Sequence, residues 1–128
     1  MKRTIVIVLF LPIVIFAGLD IDEITRVLLS IHSSKELTYY SDDKVNKDIA
    51  KKLKFTSFED ADIVLFPKKN IKNKIVIVDS YKELKNNKNS IGAIYIKKKR
   101  TQIIFIKERL QNKSLSLPLK FNNYIVSW

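Results

Sequence analysis

From Ala61 to Leu84 the chain reads ADIVLFPKKNIKNKIVIVDSYKEL, and this stretch decides the fold. It holds two continuous apolar runs. Ile63 to Phe66 is stopped by Pro67, and Ile75 to Val78 is stopped by Asp79. Runs apolar on both faces belong in a sheet covered on both sides, the usual setting of parallel strands. After the second run, Ser80 is followed three residues later by Glu83, the spacing of a capping box. A short helix is therefore predicted through Leu84, ending near Asn86 and Asn87.

Toward the carboxyl end, Ile91 to Ile96 and Gln102 to Ile106 are strand-like runs separated by Lys97 to Thr101. This predicts a hairpin with a strongly basic tip, two antiparallel strands at one side of the sheet. Gly92 is the one glycine beyond Gly18, and close packing or a bulge is expected there. Lys107 to Asn112 begins a helix, and Leu119 to Ile125 is expected to form a terminal one. Toward the amino end, Ile21, Ile24, Val27, Leu28 and Ile31 give one apolar helical stripe across Asp20 to Ser34. Glu36 to Tyr40 is a short strand, and Ser41-Asp42-Asp43 starts a helix that turns Val45, Ile49 and Leu53 inward. Lys54 to Thr56 is a brief strand, and Ser57 to Asp60 a turn. The expected class is α/β: a three-layer sandwich with a mostly parallel sheet ending in an antiparallel hairpin.

Residues 1–18 have a different character. Met1-Lys2-Arg3 is basic, Thr4 to Phe16 is almost wholly apolar, and Ala17-Gly18 offers small residues before Asp20. That order is expected of a signal peptide cut near Ala17 or Gly18. The run falls short of the ~20 residues that span a bilayer comfortably. Residues 19–128 would then form a single periplasmic α/β domain, although the leader could also be retained as an anchor.

The 128 residues carry a formal net charge of +11, or +9 if Lys2 and Arg3 leave with the leader. An anionic partner fits that balance, but nucleic acid is not expected, because binders of nucleic acid combine arginine, aromatics and glycine on one face. Lysine, isoleucine and asparagine dominate instead. The chain has no cysteine and one histidine, His32, so thiol chemistry and histidine-rich metal sites are excluded. No glycine-flanked serine offers a nucleophile elbow, and no glycine-rich loop could cradle phosphate. Neither an enzyme nor a bound cofactor is expected.

In open α/β sheets, ligands sit beyond the carboxyl ends of the strands. The candidates there are Tyr40, Ser41 and Asp42, then Lys68 and Lys69, then Asp79, Ser80 and Tyr81. From these, Lys68, Asp79, Ser80 and Tyr81 form the candidate ligand site. Asp42-Asp43 and Glu59-Asp60-Asp62 read as helix starts, where negative charge meets the dipole. Lys97, Lys98, Lys99 and Arg100 form either a solvated tip that discourages edge pairing or a docking point for an acidic partner or an anionic membrane surface. The stripe at Asp20 to Ser34 could pair with another helix, so a homodimer stays open.

The segments DIVLF, IVIVD, IGAIYI, IIFIK and LSLPLKFNNYIV follow one another between Ala61 and Ile125. In that order they resemble the YfiR-like family of small periplasmic proteins. One glycine, Gly92, stands where the family has two, and Lys107-Glu108 replaces its asparagine. Without cysteine, the family's redox-responsive behaviour does not carry over. The resemblance implies a non-enzymatic regulator that binds the outer part of a membrane-anchored signalling protein, typically a diguanylate cyclase, and restrains it. The alternative is a small-ligand binder resembling one lobe of a periplasmic solute-binding protein.

Overall fold

A computed structural model describes residues 20–42, 52–69 and 71–128 of the chain. The leader and the helix expected to carry Val45 and Ile49 lie outside the described residues. Among those described, six strands form one sheet in chain order. They are β1 (Tyr39–Ser41), β2 (Ile63–Leu65), β3 (Ile75–Val78), β4 (Ser90–Lys97), β5 (Arg100–Ile106) and β6 (Ile125–Val126). β1 to β4 run parallel, β5 returns antiparallel to β4, and β6 runs parallel to β5. The helices are α1 (Ile21–Ser30), α2 (Tyr81–Asn86) and α3 (Lys107–Asn112), with a 3-10 helix at Leu119–Tyr124. The chain is thus an α/β domain with a mostly parallel sheet and one antiparallel hairpin.

The two apolar runs that fix the class are buried on both sides, and alternate residues feed two cores. Ile63, Leu65, Ile77, Ile94, Ile103 and Phe105 meet Ile24, Val27 and Leu28 of α1, with Leu110, Leu115 and Phe121. Val64, Val76, Val78, Ala93 and Ile106 meet Leu84 of α2. Neither core exists without the sheet between them. Among the described residues, no helix is long and apolar enough to cross a membrane.

Local chemistry sets the ends. The Asp20 carboxylate accepts from the Glu23 N–H and starts α1; the Ser80 hydroxyl does the same for the Glu83 N–H and α2. α1 stops at Ser30 rather than Ser34 because Ile31 is extended and His32 pairs with Ser116 through both main-chain bonds. β1 begins at Tyr39, later than expected. The Thr38 N–H is taken by the Asp62 carboxylate, and the Tyr39 main chain bonds Lys54 and Thr56 on its outer side. The expected Lys54 to Thr56 strand survives as a single parallel bridge between Tyr39 and Phe55.

Two expectations are corrected. Asp62 is not a helix start; it accepts from the Thr38 N–H and hydroxyl at 2.9 and 3.0 Å and pairs with Lys35 at 2.7 Å. The chain does not close on an α-helix through Ile125 either. It makes a 3-10 helix behind Pro118, and Ile125 and Val126 then add to the edge of β5 beside Phe105 and Ile106. Two main-chain pairs satisfy an open edge that a helix would leave exposed. The hairpin is therefore followed by a sixth strand.

At Gly92 both expected reasons hold. The pairing of β3 with β4 steps from Val76 with Ser90 to Ile77 with Gly92, which leaves Ile91 as an extra residue. Across β5, a Cβ at residue 92 would lie 2.6 Å from the Ile104 carbonyl oxygen and 2.7 Å from the Phe105 ring.

Candidate functional site

Parallel pairing brings the carboxyl ends of β1, β2 and β3 to one edge of the sheet, and β4 arrives there with them. β3 ends at Val78, in register with Ala93, whereas β4 runs on to Lys97. The segment Ile94 to Lys97 and its partner Arg100 to Ile103 therefore project as an arm, roughly 13 Å beyond the parallel strands. The two groups singled out in the sequence thus share one end of the molecule.

Along the crest, Tyr40 donates to the Asp42 carboxylate at 2.8 Å, a bond that raises the phenol's pKa. At the end of β2, Phe66 is buried with φ of 50°, a left-handed conformation rare for a bulky residue. Lys68 is exposed on the loop that follows, and Asp79 is exposed at the end of β3. Ser80 is half-buried with its hydroxyl committed to the α2 cap at 3.1 Å. The Tyr81 ring stands edge-on to Trp128 at 6.1 Å, with the Lys85 ammonium 5.9 Å from its centre.

The hairpin tip is tighter than expected. Lys97 pairs with Arg100, so the turn is only Lys98 and Lys99, with φ of 51° and 65°. Two consecutive left-handed residues make a type I′ turn, whose twist suits a hairpin and which normally uses Asn-Gly. Lysine in both positions costs roughly 1 kcal/mol per residue relative to ordinary backbone. Lys97, Lys98, Lys99 and Arg100 are all exposed.

Two features went unseen in the sequence. The first is a depression of about 460 Å³ on the side of the arm that faces α2, lined by Tyr81, Tyr95, Lys97, Gln102 and Ile104. Tyr95 lies opposite Gln102, and Ile104 opposite Ala93, so period-two alternation puts them on one face. α2 is six residues, about 9 Å, and covers Ala93 but not the arm beyond. The register of the hairpin would have found this face; composition could not.

The second is Arg109. One guanidinium nitrogen donates to the carbonyls of Leu84, Asn87 and Ser90 at 2.7, 3.2 and 2.9 Å, and to the Ser90 hydroxyl at 3.1 Å. Its Cζ lies 5.0 Å from the Trp128 ring centre. A cation thus closes the carboxyl end of α2, where the last carbonyls carry partial negative charge. Glu108 accepts from the Ser127 hydroxyl and the Trp128 N–H, which hold its carboxyl below the usual range and secure the tail. Arg109 against the Trp128 ring, with Tyr81 edge-on to the same ring, ties the tail to α2 and so fixes one wall of the depression.

A separate groove of about 550 Å³ lies at the end of α1, between Leu29, His32, Leu37 and Leu53. His32 is exposed on its rim. Among the described residues, no three His, Cys, Asp or Glu side chains gather as metal ligands. Comparison with known proteins finds no matching family, no matching curated protein and no matching solved structure.

Proposed function

We propose that this chain is a non-enzymatic binding module of the bacterial envelope, carried to the periplasm by its apolar leader, that regulates a membrane-anchored signalling protein. The observation that supports it best is the basic arm: four exposed cations on a hairpin that outruns its own sheet, with two lysines kept in a turn geometry that costs energy. Backbone strain concentrates where a surface is used. The order of strands that resembles the YfiR-like family points to the same class. A small-ligand site built from Lys68, Asp79, Ser80 and Tyr81 is the weaker reading. Ser80 is engaged in a helix cap and Tyr81 in a ring contact, so both already serve the fold.

The test is a photo-crosslinking amino acid at position 99 of the full-length chain, irradiated in its source cells. The expected product is an adduct with a membrane-anchored protein, found in the periplasmic fraction's attached envelope. It should disappear when the flanking Lys97, Lys98 and Arg100 are all changed to glutamate. An unchanged adduct in the charge-reversed chain, or adducts confined to the cytosol, overturns the proposal.

A further inference from the structure

Resting on that reading, we infer that the face of the arm beside α2 is a docking site for an acidic segment of a partner protein, with one aromatic side chain seated in the depression between Tyr81 and Tyr95. Tyr95 and Ile104 give an apolar floor, Tyr81 a ring wall, and Gln102 and Lys97 the polar rim. Aromatic surfaces so arranged accept a ring edge-on or offset. The fold makes the opening unavoidable, since β4 and β5 continue past the last residues that α2 can shelter.

Charge identifies the occupant. Lys97 lines the depression, Lys98, Lys99 and Arg100 follow it at the hairpin tip, and α2 carries Lys82 and Lys85, the latter against the Tyr81 ring. Among the described residues, none of these six enters an ion pair. Asp79 and Glu83 are the carboxylates at the start of α2, so across residues 79–86 and 97–100 cations outnumber carboxylates six to two. An acidic chain laid across it meets opposite charge on both sides, which favours encounter and orientation. A lipid surface fits less well, because the anchor-bearing feature is concave and a bilayer presents no projecting ring to fill it. The Arg109 and Trp128 stack keeps Tyr81 in place, so the wall is formed before the partner arrives.

The experiment uses the intact chain labelled with nitrogen-15. The probe is a capped pentapeptide with tryptophan at its centre and glutamate at the other four positions; a second peptide has alanine for the tryptophan. The tryptophan peptide should shift the amide signals of Tyr81, Tyr95, Gln102 and Ile104. Affinity should fall tenfold or more with the alanine peptide and with Tyr95→Ala, while Leu119→Ala on another surface leaves it unchanged. If Tyr95→Ala does not fold, Tyr81→Ala serves the same purpose, since that side chain is exposed. Equal binding of the two peptides, or shifts confined to residues 97–100, overturns the inference. So does tight binding to phosphatidylglycerol vesicles that the peptide cannot displace. Such a result would still leave the cross-link at position 99 dependent on the tip charges, so this inference can fail while the regulatory reading stands.

Discussion

A hydrogen atom where other residues carry a carbon lets β4 and β5 meet at Gly92. The Phe105 ring lies across the position a Cβ would take, and the Ile104 carbonyl closes the other side. Phe105 is wholly buried beneath α1, so it cannot swing away without opening the larger core. Gly92→Ala is expected to lower stability by roughly 1–3 kcal/mol, the range of overpacking in a filled core. Urea unfolding checks this, and a variant as stable as the parent would mean the ring relaxes freely. Arg109 makes the complementary point at the same scale. Its sequence context, KERLQN, suggests only a helix surface, yet its guanidinium satisfies three carbonyls. Nothing local distinguishes it from the lysines around it; only its reach to the carboxyl end of α2 does.

At the scale of elements, what could be read in the sequence divides by the range of the cause. The IVLF and IVIV runs, the Ser80 cap and the Lys107 to Asn112 helix were legible because their determinants lie within a few residues. Lys97 to Thr101 was legible as a hairpin, but not as a two-residue turn, because lysine is a poor marker for left-handed backbone. The late start of β1 and the sixth strand were not legible. Each depends on a partner distant in sequence, Asp62 for the first and the edge of β5 for the second. The candidate site follows the same division: its cations were plain, while Tyr95 and Gln102 needed the register. The turn itself yields a prediction. Lys98→Asn with Lys99→Gly should relieve the left-handed strain, offset in part by the entropy of glycine, and stabilise the chain by about 1 kcal/mol. Thermal unfolding should register a higher midpoint. A lower one would mean that the lysine stems pack against the arm and outweigh the strain.

For the whole molecule, three groups set the pH range of stability, because each joins segments that would otherwise separate. Asp62 feels burial, which raises its pKa, but hydrogen bonds from Lys35 and Thr38 outweigh it and hold the carboxyl below its ordinary value. Its contribution is full above the unfolded value of about 4 and is lost as pH falls through the lower folded one. Tyr124 donates to Glu23 and so ties the 3-10 helix to α1; that bond, with burial, pushes its pKa up to about 12. Tyr39, buried with its hydroxyl on the Leu28 carbonyl, is pushed up as well. For both tyrosines the contribution is complete below the unfolded value of about 10 and declines as pH rises toward the folded one. Stability should therefore be flat between about pH 5 and 9 and fall on either side. Below that range the whole chain also gains positive charge on top of +11, so repulsion adds to the acid limb. Two variants separate local from global causes. Asp62→Asn should be less stable at neutral pH yet lose less between about pH 4 and 2, because general repulsion remains and the carboxylate's own share is gone. Tyr124→Phe should lose the bond to Glu23 at neutral pH and soften the fall above about pH 10, leaving Tyr39 and Tyr40 to account for the rest. Urea midpoints measured across this range decide it. Limbs identical to the parent's in both variants would mean that neither Asp62 nor Tyr124 sets its limb.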